Sequence, residues 1–249
     1  MAQNIYDDAS FFEGYAQFPR SREGLSAAPE WPRLRDMLPA MAGLRVLDLG
    51  CGLGYFCEWA AQQGAAEVVG LDLSEKMLAV AQQRCAGLPV QLERADLDSA
   101  DFGTDRFDLV FSSLAVHYLE DFDGFCRRVR KALKAGGRFV FSMEHPVFAA
   151  RANPEFGRDA NGHRVALVDD YLREGERRTN WIADNIVKHH RLISTIIMAL
   201  RRTGLALDDI EEWALSDADL AAHPEWQEDR YQPMFLLFAT HAAPIDRIG

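Results

Sequence analysis

The stretch VLDLGCGLGYF, residues 46–56, places three glycines in five positions directly after a run of alternating apolar residues. Gly50, Gly52 and Gly54 lack a Cβ, so the backbone of this turn can approach another group unusually closely. A phosphate, a dinucleotide, a neighbouring helix or another nucleoside-containing cofactor could be that group. A dinucleotide fingerprint would need glycine where this sequence has Tyr55, so the glycines alone do not decide between these partners.

Strands and helices alternate along the chain after this turn. EVVGLDL (67–73) and RFDLVFSSL (106–114) are typical of strands, whereas SEKMLAVAQQRCAG (74–87) and FDGFCRRVRKALKAGG (122–137) are typical of helices. This alternation predicts an α/β fold, a Rossmann-like doubly wound parallel sheet with helices on both faces. Right-handed crossovers then place the carboxyl ends of the strands along one edge of the sheet.

Two regions depart from this alternation. Residues 1–40 are rich in aromatic residues and proline and predict an N-terminal lid with two short helices, while residues 145–188 form a polar insertion after strand five. The insertion is too long for an ordinary connection and is expected to cap a substrate. A helix opening at the His189–His190 pair and two strands follow, within 189–240. We expect one domain, with its cofactor-binding core at 44–144.

The composition disfavours several classes of protein. A net charge of −11 disfavours tight nucleic-acid binding, and the basic run at 127–131 is typical of a solvated helix face. The four cysteines form no metal-ligand array, and we expect no bound metal. The N-terminus does not resemble a secretory signal and no apolar run is long enough to span a membrane. These features favour a cytoplasmic protein.

Acidic residues follow the next two strands. Asp72 ends the second strand, where a carboxylate can bind two ribose hydroxyls, and Asp96 follows the third, where it could accept a hydrogen bond from an exocyclic amine. Either residue alone is as readily a helix N-cap. A glycine turn and two aspartates at three consecutive strand ends together favour a nucleoside-containing cofactor.

Five motifs in this order resemble the class I S-adenosylmethionine-dependent methyltransferases, of the small-molecule type common in bacteria. They are VLDLGCGLG, VVGLDLSEKML, ADLDS, FDLVFSSLAVHYL and LKAGGRFVFS, and they lie within residues 44–144. The resemblance implies S-adenosylmethionine as the cofactor. It also implies a seven-stranded, mostly parallel sheet whose last strand is antiparallel.

The resemblance further implies the residues that bind this cofactor. Asp72 would bind the ribose hydroxyls and Asp96 the adenine amine, while the glycines let the backbone pass close to the methionyl portion. Tyr15 and Arg20, in the lid, could close over the cofactor carboxylate or over a polar substrate. The implied cofactor-binding residues are Tyr15, Arg20, Asp48, Gly50, Gly52, Gly54, Asp72, Leu73, Asp96, Leu97 and Ser112.

Methyl transfer needs a base only if the acceptor must lose a proton. His117 and His145 follow the fourth and fifth strands and are the candidate bases, and His117 is preferred because strand four ends closest to the methyl group in the family that this sequence resembles. Each histidine is also consistent with a buried structural role. Trp181, Tyr171 and Phe148 would give the acceptor pocket an apolar, partly aromatic wall.

The sequence therefore predicts methyl transfer to an oxygen or nitrogen of a small molecule, by a monomer or homodimer with no nucleic-acid or membrane partner. Two alternatives stay open at this point. One is a nicotinamide-dependent oxidoreductase on a similar sheet, which Tyr55 disfavours. The other is a protein that binds S-adenosylmethionine without transferring its methyl group.

Overall fold

The computed structural model describes residues 3–151, 156–227, 230 and 232–244. Within these residues, seven strands form one sheet in the order β10-β11-β5-β4-β1-β2-β3 and the other four form two hairpins. In chain order the strands are β1 (Arg45–Leu49), β2 (Glu67–Asp72), β3 (Val90–Arg94), β4 (Phe107–Ser113), β5 (Leu133–Glu144), β6 (Phe156–Arg158), β7 (Arg164–Ala166), β8 (Gly175–Thr179), β9 (Ile186–His190), β10 (Leu205–Trp213) and β11 (Phe235–Ala242).

The pairing of the strands confirms the predicted fold class. Strands β1 to β5 are parallel to one another, and β11 runs antiparallel between β5 and β10. The seven-stranded, mostly parallel sheet with an antiparallel last strand is therefore present. Because β1 and β4 are neighbours in the sheet, the chain changes direction between them, and a crevice opens beyond their carboxyl ends.

The helices cover the sheet and the cavity beyond it. They are α1 (Ala9–Tyr15), α2 (Pro19–Glu23), α3 (Trp31–Asp36), α4 (Tyr55–Gln62), α5 (Glu75–Arg84), α6 (Phe122–Ala132), α7 (Pro146–Ala149), α8 (Ile193–Arg202) and α9 (Asp217–Ala222). The predicted N-cap of α5 is present, since the Ser74 hydroxyl accepts a hydrogen bond from the Met77 N–H at 3.1 Å. None of the helices within the described residues is long and apolar enough to cross a membrane.

Apolar side chains fill both faces of the sheet. On one face the rings of Phe139, Phe141 and Phe238 stack with centroids 4.5 and 4.7 Å apart. On the other face, Phe56 of α4 stacks on Phe111 of β4 at 3.7 Å. Burial of each such ring contributes about 1.5–3 kcal/mol, so both layers hold the strand ends in fixed relative positions.

Two predicted helix boundaries are wrong. The helix from Phe122 ends at Ala132, because Leu133 pairs with Phe107 and begins β5, which includes the expected stop at 136–137. The late helix begins at Ile193, after the His189–His190 pair that the sequence placed at its start. Those two histidines lie in β9, which pairs with β8 in a hairpin of the insertion. The N-terminal region holds three short α-helices where two were expected.

Candidate functional site

A cavity of about 450 Å³ lies at the carboxyl ends of β1 to β5. The N-terminal segment and the β8–β9 hairpin contribute to its walls. The lining residues include Tyr15, Arg20, Ser21, Glu30, Asp48, Gly50, Gly52, Asp72, Leu73, Asp96, Leu97, Ser113, Leu114, His117, Tyr118, Glu144, Phe148, Arg151, Thr179, Trp181 and Lys188. Most of the predicted cofactor-binding residues therefore meet at one cavity.

The three glycines of the turn after β1 have different reasons to lack a side chain. All three have positive φ, +80° at Gly50, +51° at Gly52 and +80° at Gly54. A Cβ at Gly50 would lie 2.5 Å from that of Ala115, and one at Gly54 would lie 2.9 Å from that of Ala81. A Cβ at Gly52 would meet no atom within 4 Å. Gly50 and Gly54 thus permit close packing, whereas Gly52 leaves open space beside the cavity.

Asp72 lies at the end of β2, where its carboxylate is held by two backbone amides. Oδ2 accepts a hydrogen bond from the Gly52 N–H at 2.8 Å and Oδ1 accepts one from the Ser74 N–H at 2.9 Å. Burial raises the pKa of Asp72, although the bonds from these amides oppose that effect. Each oxygen keeps a lone pair, so the carboxylate can accept hydrogen bonds from a ribose diol.

Asp48 lies beneath the same turn and is almost wholly buried. Its Oδ2 accepts a hydrogen bond from the Cys57 thiol at 3.2 Å, and burial raises its pKa to about 7. The residue also lines the cavity. It is therefore placed to support the turn and to contact the part of a ligand nearest β1.

The residues predicted to contact adenine lie together beyond β2 and β3. Leu73, Asp96 and Leu97 all line the cavity. Asp96 Oδ1 accepts a hydrogen bond from the Asp98 N–H at 3.0 Å, and the Leu97 carbonyl accepts one from Arg128 at 2.6 Å. These contacts fix the loop after β3. The loop places the apolar side chain of Leu97 and the carboxylate of Asp96 at the same end of the cavity.

The structure does not bring Ser112 or Gly54 to the cavity wall. The Ser112 hydroxyl is buried and donates to the Leu49 carbonyl at 2.7 Å, bonding β4 to β1. The next residues, Ser113 and Leu114, do line the cavity. Leu114 has φ +52°, a conformation unusual for a residue with a Cβ, and the sequence gives no signal for it. Because side chains alternate along a strand, a one-residue shift decides which serine faces the cavity.

Arg20 is bound to an acidic residue that sequence reasoning missed. Its guanidinium forms an ion pair with Glu30, whose side chain is only 1% exposed. Within the described residues, Glu30 Oε2 and the Ser21 hydroxyl are buried without a hydrogen-bond partner, and both residues line the cavity. A cation, an anion and a hydroxyl together match a ligand with both a carboxylate and an ammonium, as in the amino-acid portion of S-adenosylmethionine.

His117 lies at the cavity in a 3-10 turn formed by Val116–Tyr118. Its Nδ1 accepts a hydrogen bond from the Glu144 N–H at 3.4 Å, so the neutral ring carries its proton on Nε2. Burial lowers the pKa of His117 to about 4. Nε2 is therefore a hydrogen-bond donor at neutral pH, and the ring is a weak base.

The structure does not place His145 at the cavity. Its Nδ1 accepts a hydrogen bond from the Val147 N–H at 3.1 Å, which caps α7. The other ring nitrogen, Nε2, lies 2.9 Å from Glu212 Oε1 on β10. Both nitrogens of the ring are thus engaged in contacts that fix the start of the insertion.

Lys188 is a second residue that the sequence did not single out. It lies on β9, is 6% exposed, and its Nζ contacts Glu144 Oε1 at the end of β5 at 2.5 Å. The same nitrogen lies 5.8 Å from the ring centroid of Trp181. Lys188 occupies an inward position between Ile186 and His190, because burial alternates along β9. No local pattern in the sequence marks it as buried.

The N-terminal segment and the insertion meet above the cavity through aromatic rings. The ring of Trp181 lies 5.9 Å from that of Phe11, 6.2 Å from Tyr15 and 5.3 Å from Phe18, between centroids. Trp181 and Phe148 line the cavity as predicted, whereas Tyr171 is not among its lining residues. The Tyr171 carbonyl instead bonds to His190 Nε2 at 2.7 Å.

Comparison with known proteins identifies the family. Residues 47–141 match the family model of the methyltransferase domain. The crystal structure of an S-adenosylmethionine-dependent methyltransferase from Mesorhizobium loti is 50% identical, with a TM-score of 0.84, over 88% of this chain and 100% of that chain. This chain belongs to the S-adenosylmethionine-dependent methyltransferases. A Haemophilus influenzae protein is also similar to this methyltransferase, 31% identical over 91% of this chain and 90% of its own length.

A further relative shares only part of its length with this methyltransferase. Phosphoethanolamine N-methyltransferase 3 of Arabidopsis thaliana is 32% identical over 66% of this chain, which spans 33% of the plant protein. The family's cofactor is S-adenosylmethionine, whose sulfonium supplies an activated methyl group. Asp72, Gly52 and the Arg20–Glu30 pair fit its ribose and amino-acid portions.

Proposed function

We propose that this methyltransferase transfers the methyl group of S-adenosylmethionine to an oxygen or nitrogen of a small molecule. The main support for the proposal is that one cavity contains both the residues suited to the cofactor and a space for an acceptor. The same cavity extends from Gly52 and Asp72 to His117, Lys188 and Trp181. If the first set holds the cofactor, the second set would line the space left for a small acceptor.

The chain's own residues contribute alignment and exclusion of water. Methyl transfer from a sulfonium is an in-line displacement, so holding the nucleophile in contact with the methyl group supplies much of the rate enhancement. The Trp181 ring and the N-terminal aromatic rings cover the cavity and would keep water from it. His117 Nε2–H is positioned to donate to an acceptor atom and to fix its orientation.

We extend the proposal to the setting in which the enzyme acts. A net charge of −11 supports a small molecule over a nucleic acid as the acceptor. Residues 1–40 and 145–188 would act as lid and cap of a single domain around the core. We also propose that the enzyme works in the cytoplasm, as a monomer or homodimer.

The test is to follow a labelled methyl group. The protein is incubated with methyl-labelled S-adenosylmethionine and either a metabolite extract or a nucleic-acid and protein extract. We expect label in the small-molecule fraction, and much less label with the Asp72→Ala variant at a low concentration of S-adenosylmethionine. Label retained only in the macromolecular fraction would contradict the small-molecule acceptor. No transfer by a protein that binds S-adenosylhomocysteine would indicate a non-catalytic binding protein.

A further inference from the structure

A buried lysine faces the acceptor end of the cavity. Lys188 carries three N–H donors, and among the described residues its ammonium bonds only to Glu144 Oε1. The Lys188 side chain is only 6% exposed, in a chain of net charge −11. Burying a lysine is costly unless its charge is paired and its N–H groups are hydrogen-bonded. Two of its donors thus stay available to a ligand in the cavity that it lines.

His117 supplies a second donor to this cavity. No described residue accepts a hydrogen bond from His117 Nε2, the nitrogen that carries the ring proton. The apolar rings of Phe148 and Trp181 lie beside these groups in the cavity wall. The wall around these groups therefore combines N–H donors and apolar rings with the carboxylate of Glu144, which is paired with Lys188.

The same end offers no effective base. His117 is buried in its neutral form with the accepting nitrogen bonded to the Glu144 N–H. The carboxylate of Glu144 is neutralised by Lys188. A phenol and a protonated alkylamine each have a pKa of about 10. At neutral pH, each would need a base to remove a proton before it could act as a good nucleophile. A carboxylic acid, with a pKa of about 4, arrives already ionised.

We infer that the acceptor is an apolar carboxylate, bound by Lys188 and His117 and methylated on a carboxylate oxygen. The inference rests on the proposed function and names the acceptor class of the same site. A lone pair of the carboxylate oxygen forms the new O–CH₃ bond while the S–CH₃ bond breaks and its electron pair stays on sulfur. No proton is released, so the product is a methyl ester and a neutral thioether.

Binding of matched probes tests this inference without turnover. With protein saturated in S-adenosylhomocysteine, calorimetry compares 4-phenylbutyrate, its primary amide 4-phenylbutanamide and the cation 4-phenylbutylamine. We expect the carboxylate to bind about tenfold more tightly than the amide, and the amine to bind most weakly. Equal or tighter binding of the amide or the amine, or failure of the carboxylate to bind, would overturn the inference.

Two substitutions at the ion pair should act in opposite directions. Lys188→Met removes the charge and should abolish the preference for the carboxylate. Glu144→Gln leaves the lysine without its partner and should increase that preference. A merely structural role would weaken binding in both variants and would overturn the inference. Lys131→Met, at an exposed lysine of α6 that pairs with Asp101, is the control and should leave the preference unchanged.

The stability of the methylated product in base distinguishes a failure of this inference from a failure of the proposed function. Methyl esters release volatile methanol in mild base, whereas methyl ethers and N-methyl groups do not. We expect transferred label to be released as methanol. Label in a base-stable product would overturn the acceptor class alone. No transfer of label to any small molecule would overturn the proposed function, and this inference with it.

Discussion

The carboxylate of Asp72 accepts a hydrogen bond from the backbone N–H of Gly52 at 2.8 Å, which joins the end of β2 to the turn after β1. The bond joins the carboxyl ends of two neighbouring parallel strands, β1 and β2, at the edge of the sheet where the cavity lies. One side chain therefore holds the glycine turn in place and presents lone pairs to the cavity. Cofactor binding and the conformation of the turn should depend on the same carboxylate.

Asp72→Ala should weaken binding of S-adenosylhomocysteine by about 2–4 kcal/mol, because two charge-assisted hydrogen bonds to ribose are lost. Calorimetric titration measures the difference directly. Asp101→Ala, at an exposed aspartate that pairs with Lys131, is the matched control and should bind as the wild type does. Unchanged affinity in the Asp72 variant would show that the ribose is held elsewhere.

Gly52→Val should prevent cofactor binding with only a moderate loss of stability. The new side chain would enter the open space beside the cavity and would strain a backbone with φ +51°. Gly87→Val is the control, since Gly87 has φ +79° and open space around its Cβ position but lies beyond the end of α5, outside the cavity lining. Thermal unfolding should give similar losses for both variants. If the Gly52→Val variant bound the cofactor as tightly as the wild type, Gly52 would be needed only for the conformation of the turn.

Most of the sheet could be predicted from the sequence because its strands are apolar runs between clear helix signals. The insertion could not, since its hairpins are short and polar, and their pairing depends on contacts with the rest of the fold. His189 and His190 illustrate this, because a helical pattern follows them directly yet β8 pairs with them. Tertiary pairing therefore overrides the local preference at this junction.

The cofactor end of the site was more predictable than the acceptor end. Asp72 and the glycine turn lie at strand ends, where the order of the chain fixes their neighbours. Glu30 and Lys188 come from the N-terminal segment and the insertion, and their partners, Arg20 and Glu144, are set only by how those segments fold. No local pattern in the sequence specifies such contacts.

Removal of His117 should change how stability depends on pH. The pKa of His117 is about 4 in the folded protein, against about 6.5 for an unfolded histidine, so the unfolded chain binds the proton first as pH falls. The wild type should lose about 2 kcal/mol between pH 7 and pH 5 from this group, and the loss continues towards pH 4. His117→Gln should lack this component. Urea denaturation of both proteins at the two pH values measures it, and equal pH dependence would contradict the burial of a neutral ring.

Arg20→Met should weaken binding of S-adenosylhomocysteine about tenfold while leaving methylthioadenosine unaffected. Both ligands carry the adenosine and the sulfur, but only the first has the amino-acid portion that the Arg20–Glu30 pair would contact. Arg22→Met, at a neighbouring exposed arginine of α2, serves as the control. An equal loss for the two ligands would show that Arg20 acts on the fold of the lid instead.

Titration of the wild-type protein with S-adenosylmethionine, S-adenosylhomocysteine, NAD and NADP tests the central claim most directly. The turn from Gly50 to Gly54 with Asp72 beside it should bind a sulfonium nucleoside and its thioether product, and leave no place for a pyrophosphate. We expect saturable one-to-one binding of the first two ligands and no measurable heat from the nicotinamide cofactors. Binding of NAD or NADP, or failure to bind S-adenosylhomocysteine, would contradict this account of the site.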